Sequence, residues 1–172
     1  MSKTTRILFI VSLGTLLFAR NTQSKEQADM TNGQRSQVEP RTRLKAKAKI
    51  NVQSSEAKPY DQTVNPALME IRISETFSGD IDGESTARAF QVQRSDHSAS
   101  QVSMQRFVGT LGGRQGTFVL QGSETVENGN IKATWFVVPG SGTGDLSGLR
   151  GEGGFEGGFG KGSDGWLDYW FE

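Results

Sequence analysis

The candidate residues for chemistry in this chain are carboxylates, arginines and a phenol, because cysteine is absent and histidine is nearly so. The 172 residues include no cysteine and one histidine, His97. Thiolate catalysis and zinc–thiolate sites are therefore excluded, and no imidazole metal site, cofactor or metal is expected. The polar side chains within strand-like segments that could act on a substrate are Glu70, Arg72, Arg106, Glu124 and Tyr169. A surface or structural role is the simpler interpretation for each, and the sequence assigns no catalytic residue.

A glycine-rich segment, VVPGSGTGDLSGLRGEGGF (residues 137–155), raises the question of phosphate binding. A dinucleotide-binding loop has the pattern G-x-G-x-x-G between a strand and a helix, but Ser147 stands in the place of the third glycine. We therefore predict that this segment is a structural corner that binds no phosphate. The residues predicted to form this corner are Gly140, Gly142, Thr143, Gly144, Arg150 and Gly151. Arg150 is expected to donate hydrogen bonds to loop carbonyls.

The elements that position these residues are predicted to be β-strands, since no stretch after residue 44 has a helical period over about eleven residues. Eight segments carry β-branched or aromatic residues between turn sequences. They are residues 44–52, 68–77, 85–94, 98–111, 116–126, 130–138, 148–157 and 165–172. Tight reversals are predicted at Asp82-Gly83 and within residues 111–116 and 127–130. Short antiparallel strands pack as two sheets or close into a barrel, and we predict an all-β fold with a single eight-stranded antiparallel barrel.

Alternation along these strands separates inward from outward side chains. Arg106 is predicted to share one face of the fourth strand with Met104 and Val108, opposite the face of Gln105 and Phe107. The residues predicted to face the lumen and to bind a ligand are Gln105, Phe107, Phe118, Leu120, Trp135 and Tyr169. A barrel of eight strands is just wide enough to hold one small ligand or to be filled by its own side chains. Both interpretations, a binding lumen and a packed core, remain open.

The N-terminus has the pattern of an export signal. Lys3 and Arg6 precede an apolar run, residues 7–19, that is shorter than the ~20 residues of a membrane span. We expect a signal peptide over residues 1–24, cleaved near Ser24, and a periplasmic or secreted mature protein without a stable membrane span. An uncleaved anchor or an over-read start codon remains an alternative. Residues 25–43 are predicted to be a flexible linker because large apolar residues are almost absent, and residues 44–172 to be the barrel domain.

Charge gives no reason to expect a nucleic-acid partner. The chain has 19 basic and 19 acidic residues, so it has no net field that would attract an anionic polymer. Lys45, Lys47 and Lys49 alternate with apolar residues, which is typical of a solvated strand face. A small apolar molecule is the expected partner, and the sequence is compatible with a homo-oligomer.

Several separated segments resemble, in the same order, the bacterial domain-of-unknown-function family numbered 3224 (DUF3224). They are FSGDIDGES, QRFVGTLGGRQGTFVLQG, the glycine-rich segment and LDYWF, and the resemblance covers residues 44–172. The step Gly142-Thr143-Gly144 followed by Arg150-Gly151 is also similar to a corner of allene oxide cyclases and dirigent proteins. The resemblance implies an eight-stranded, allene-oxide-cyclase-like barrel and supplies no established reaction.

Two positions depart from the pattern that we expect of this family. The fourth strand has Gln105-Arg106 in place of Glu-Arg, and Gly122 stands where a histidine is expected. A polar cluster built from those two groups would be weaker in this chain. We favour an exported binding module for a small apolar ligand; the alternative, implied by the resemblance, is a cofactor-independent isomerase or cyclase. A buried carboxylate with a raised pKa beside an open cavity would favour the enzyme.

Overall fold

The computed structural model describes residues 42–63, 65–94, 98–158 and 161–172, and these form one closed barrel. Eight antiparallel strands follow one another around the barrel in chain order, and the last pairs with the first. The strands are β1 Leu44–Asp61, β2 Leu68–Gly79, β3 Ile81–Gln93, β4 Ala99–Leu111, β5 Arg114–Glu127, β6 Asn130–Val137, β7 Leu149–Gly158 and β8 Gly162–Phe171. A short 3-10 helix, Gly144–Leu146, precedes β7. The predicted all-β barrel is confirmed.

Some predictions concern other parts of the chain. The predicted signal peptide over residues 1–24, the linker as far as residue 41, and His97 lie outside the described residues. None of the helical segments in the described ranges has the length and hydrophobicity that crossing a bilayer requires.

Two of the three predicted reversals are tight hairpin turns. Gly112 and Gly113 have φ values of 56° and 82°, and Asn128 and Gly129 have 51° and 76°. Positive φ at both central residues is the mark of the two-residue turn that matches the twist of paired strands. The predicted reversal at Asp82-Gly83 is wrong, because the chain turns near Asp80 and both residues lie within β3.

Gly83 serves close packing rather than a turn. It lies directly opposite Gly109 of β4, and a Cβ on Gly83 would stand 2.8 Å from the Gly109 Cα. Real Cβ atoms do not approach that closely, so glycine at both positions lets the two strands come together at a bend of the barrel wall. A glycine required for close approach has the same sequence signature as a glycine required for a turn.

The first strand is longer than predicted and extends past the closed part of the barrel. β1 pairs with β8 from Leu44 to Ile50, and it continues to pair with β2 as far as Asp61. The added residues 53–61 are polar, include a proline and show no apolar alternation, so the sequence pattern did not mark them as a strand. The part of β1 beyond Ile50 is therefore the edge of the sheet formed by β1 to β5, where β8 no longer pairs with it.

The interior of the barrel has a packed aromatic layer, formed by Phe77, Phe107, Phe118 and Trp135. The Phe107 and Phe118 rings have centroids 4.8 Å apart, and the Phe77 ring meets the Phe107 ring edge-on at 5.5 Å. The void among these rings has no room for a water-sized probe. Close packing of this kind fills the barrel and gives the neighbouring polar side chains a rigid apolar floor.

Candidate functional site

Next to the aromatic layer, the inward side chains of four adjacent strands are polar. We call them the interior polar cluster; its members are Glu75 on β2, Ser85 on β3, Ser103 and Gln105 on β4, and Glu124 on β5. Each occupies an inward position of a regular strand, because successive strand residues point to opposite faces. The barrel thus has an apolar half and a half that contains two carboxyl groups.

Glu75 is held by two neutral hydrogen-bond donors. The Gln105 amide nitrogen donates to Glu75 and also to the Ser85 hydroxyl, the latter at 2.7 Å, and Ser85 donates to Glu75 at 3.3 Å. Gln105 and Ser85 are buried, while Glu75 is partly buried. Burial raises the pKa of Glu75 and outweighs the hydrogen bonds from Ser85 and Gln105, which act in the opposite direction.

Glu124 is the most enclosed ionisable group of the cluster, with a relative exposure of 4%. Ser103 Oγ donates to Glu124 Oε1 at 2.5 Å. The second carboxyl oxygen, Oε2, is buried and has no hydrogen-bond partner among the described residues. Burial raises the pKa of Glu124, against the lowering effect of Ser103 and Gln101.

The Glu124 carboxyl occupies space that Gly122 leaves free. A Cβ at position 122 would stand 2.7 Å from Ser103 Oγ and would also overlap Glu124 Oε1. Glycine at this position therefore leaves space inside the barrel for the Glu124 side chain to reach Ser103. The two departures from the family pattern, at Gln105 and Gly122, coincide with a polar cluster that is built from other carboxyl groups.

The two carboxyl groups influence each other. The charge of Glu124 contributes to the raised pKa of Glu75. Two carboxyls that share a poorly solvated site favour neutral forms, which can both donate and accept hydrogen bonds. Among the described residues, no group of three or more His, Cys, Asp or Glu side chains is placed to hold a metal ion. The arrangement is suited to hydrogen bonding and to proton transfer.

Solvent reaches Glu75 of the cluster, which is only partly buried and lies beside the part of β1 that extends past Ile50. Val52 of β1 lies opposite Glu75 and is 59% exposed. β8 pairs with β1 only as far as Ile50, so β1 has no neighbour on that side beyond this residue. Glu75 is thus on the accessible side of the cluster and Glu124 is on the enclosed side.

The predicted ligand-binding residues fall in two different environments. Gln105 belongs to the interior polar cluster. Phe107, Phe118, Leu120 and Trp135 are buried, and all four border the filled void. Tyr169 is also buried, with its ring 6.0 Å from the Phe171 ring. Apart from Gln105, these side chains are packed core in the structure, and the open lumen that the ligand hypothesis placed among them is filled.

The polar residues that the sequence proposed to act on a substrate also lie in different environments, some on the outer face and one in the interior. Arg72 and Arg106 are exposed on the outer face of the barrel, and Glu70 is also on that face, where it pairs with Arg72. Only Glu124 lies in the interior polar cluster. Sequence reasoning missed Glu75, although its position two residues from Phe77 on one strand was a usable signal.

The glycine-rich segment forms a corner between β6 and β7, and its hydroxyls complete the β5 hydrogen bonds. Gly140 and Gly144 have φ values of 74° and 60°, which favour glycine. Thr143 Oγ1 accepts from the Thr117 backbone N–H at 3.1 Å, and Ser141 Oγ accepts from the Val119 N–H at 3.0 Å. These hydroxyls stand in for a neighbouring strand where β6 has ended.

The role predicted for Arg150 is wrong. It donates to the Glu172 carboxylate at 2.6 Å instead of to loop carbonyls. Arg150 lies opposite Trp170 in the pairing of β7 with β8, and this register brings its guanidinium to the end of β8. Its second terminal nitrogen, Nη1, is buried and has no partner among the described residues.

The described residues define a class of protein: a closed antiparallel β-barrel whose strands follow one another in chain order, with a packed aromatic layer and a polar site in its interior. The chain belongs to the family described as "Protein of unknown function (DUF3224)", whose model matches residues 46–172. The resemblance predicted from the sequence is confirmed.

Solved structures support the same assignment. The fold is similar to that of a protein with unknown function from the DUF3224 family of Shewanella oneidensis MR-1. The two chains are 26% identical, the match covers 76% of this chain and 98% of the other, and the TM-score is 0.62. No curated protein matches this sequence.

Proposed function

We propose that this protein binds one small, largely apolar molecule that carries a hydrogen-bonding group, at the interior polar cluster. The observation that supports this is the Glu124 carboxyl, which is enclosed and has one oxygen without a partner among the described residues. An unsatisfied buried polar atom costs about 1–3 kcal/mol, which a ligand that hydrogen-bonds to it recovers on binding.

The environment of the carboxyls defines the chemistry of that ligand. Burial raises the pKa of Glu75 and of Glu124, and a poorly solvated carboxyl binds hydrogen-bonding groups of alcohols, phenols and amides better than it binds anions. Leu120 and Trp135 border the cluster and provide apolar contacts. The ligand is therefore a neutral compound with one or two hydrogen-bonding groups.

Phenol is a minimal probe of this chemistry, and benzene is its matched control without the hydroxyl. Titration of the full-length protein, followed by two-dimensional nitrogen NMR, is expected to show phenol-dependent shifts at Ser103, Gly122 and the Trp135 indole, with weaker shifts for benzene. Glu124→Leu removes both carboxyl oxygens and is expected to abolish the difference between the two probes. Glu127→Leu, an exposed site on the same strand, is the control. Equal responses to phenol and benzene in the unmodified protein would contradict the proposal.

A second candidate function is cofactor-independent isomerase or cyclase activity, and the raised pKa values of the two interior carboxyls favour it. A carboxylate that takes an α-proton from a bound ketone and later returns a solvent deuteron would exchange that position in D2O. Exchange of cyclohexanone, measured by proton NMR, should then be faster with this protein than with the Glu75→Gln/Glu124→Gln double variant. Equal exchange rates would leave binding as the function.

We also propose that the protein is exported, on the basis of the basic start and the short apolar run of residues 7–19. Mass spectrometry of cell fractions is expected to find a mature N-terminus near residue 25 in the exported fraction. Finding the full-length chain solely in the cytoplasm would contradict this proposal.

A further inference from the structure

An open groove crosses the outer face of the barrel, and Gln105 is the one member of the interior polar cluster that borders it. Its volume is about 830 Å³, and it spans β1 to β5. Cavities that bind small molecules have volumes of about 300–1,000 Å³. The side chains that give the groove its chemistry are Arg72, Arg88, Arg106, Ser74, Thr86 and Met104. We call it the arginine groove.

The strand register places the arginines side by side. Arg72 lies directly opposite Arg88 in the β2–β3 pairing. Arg88 lies opposite Met104, and Arg106 lies opposite Thr86, so Arg88 and Arg106 are diagonal neighbours across β3 and β4. Like charges opposite each other destabilise a sheet, and long side chains at diagonal positions can reach a common point. The barrel therefore carries an unfavourable cluster of positive charge that an anion would relieve.

The neighbouring carboxylate compensates this charge incompletely. Glu70 Oε1 lies 3.6 Å from Arg72 Nε and 3.4 Å from Arg88 Nη1. The Arg72 and Arg88 side chains are 52% and 65% exposed, and ion pairs of such exposure are weak. Arg106 is exposed and has no ion pair among the described residues. Glu70 thus compensates the charge of Arg72 and Arg88 only in part, and Arg106 is available to an external anion.

Glu56 at the edge of the groove lies opposite Arg72 in the β1–β2 pairing and adds a second carboxylate there. Its carboxylate is paired with Lys58 at 3.0 Å, and the Lys58 side chain is 64% exposed. Lys58 and Arg72 together lower the pKa of Glu56, so the edge carries basic as well as acidic charge.

We propose that the arginine groove binds a phosphate group, held by Arg88 and Arg106 and by the Thr86 hydroxyl, on a ligand whose apolar part contacts Met104. Guanidinium groups match phosphate oxygens with paired donors. Two guanidiniums and a hydroxyl supply more donors than the two oxygens of a carboxylate accept, whereas a phosphate has at least three oxygens for them. The same chemistry is presented by a soluble phosphoester and by an anionic lipid headgroup.

Inorganic pyrophosphate tests the proposal with the full-length protein. Titration followed by NMR is expected to shift the backbone amides of Thr86, Arg88 and Arg106. Arg106→Gln should weaken binding about tenfold or more, because it removes charge-assisted hydrogen bonds. Arg114→Gln makes the same charge change at an exposed arginine outside the groove and should leave affinity within about twofold. Equal weakening by both variants, or the absence of shifts at these residues, would overturn the proposal.

Vesicles distinguish the two sources of phosphate. Co-sedimentation with phosphatidylglycerol vesicles, absent with phosphatidylcholine vesicles and reduced by Arg106→Gln, would identify a lipid headgroup. Pyrophosphate binding without vesicle binding would identify a soluble phosphoester, and either result supports a phosphate site. Vesicle binding that is unchanged in Arg106→Gln, together with no pyrophosphate binding, would overturn it. Phenol binding inside the barrel is measured independently, so failure of one proposal does not imply failure of the other.

Discussion

Truncation of Phe118 to alanine is expected to destabilise the barrel strongly, because the space around this ring is already filled. Phe118 has a relative exposure of 0%, and its ring packs against Phe107 at a centroid distance of 4.8 Å. The space between the rings has no room for a water molecule, so the truncation creates a new cavity rather than enlarging an existing one.

The expected magnitude follows from this packing. Removing a buried phenyl ring costs about 3–5 kcal/mol, and the upper part of that range applies where the surroundings cannot collapse. The backbone is fixed on both sides of Phe118: β4 pairs with β5 on one side, and on the other the glycine-rich corner hydrogen-bonds to Thr117 and Val119. We therefore expect Phe118→Ala to lose about 4 kcal/mol of unfolding free energy.

Urea unfolding followed by tryptophan fluorescence measures the change. Val108→Ala is the matched control, because Val108 is an apolar residue of the barrel wall that is 53% exposed on the outer face. It should change the unfolding free energy by less than about 0.5 kcal/mol. A loss of less than about 1.5 kcal/mol in Phe118→Ala would refute the packed aromatic layer and would restore the open lumen as the ligand site.

Two further predictions concern pH and the glycine corner. The pKa of Glu124 is raised by burial in the folded state, so its favourable contribution is fully present below the unfolded pKa and is lost as pH rises through the folded pKa. Glu124→Gln should therefore gain in unfolding free energy relative to the unmodified protein as pH rises from about 4 to about 8. The control, Glu127→Gln at an exposed site, should show no such gain. Parallel pH profiles for Glu124→Gln and the unmodified protein would contradict this prediction. Gly144 has a φ of 60°, so Gly144→Ala should lower the unfolding free energy by about 1 kcal/mol and Gly144→Val by more. An unchanged melting temperature in Gly144→Val would show that the corner does not require glycine.

The strand pattern was readable from the sequence because apolar alternation and turn residues are local signals. Residues 98–111 were predicted as a strand, and β4 is Ala99–Leu111. The same alternation placed Gln105 and Phe107 on the inner face, where both are buried. The turn predicted at Asp82-Gly83 was wrong because the local sequence does not show that Gly109 of the next strand comes close to Gly83.

The candidate site was less predictable because it depends on side chains that come together across strands. Glu124 was one of several polar candidates, and nothing in its neighbours along the chain shows that Ser103 is its hydrogen-bond partner. Glu75 lies in a segment with glutamates and arginines at other positions, and only the closed barrel makes its inward face poorly solvated. The filled aromatic layer likewise follows from ring packing, which alternation alone does not specify.

Contacts between bound phenol and the protein test the interior site most directly. Intermolecular nuclear Overhauser effects, measured on the full-length protein, report which protons lie next to the phenol ring. Binding at the interior polar cluster predicts effects to Leu120 and to the Trp135 indole that disappear in Glu124→Leu and persist in Glu127→Leu. Effects confined to the exposed outer residues Val102 and Phe136, or unchanged in Glu124→Leu, would contradict a binding site formed by the enclosed carboxyls.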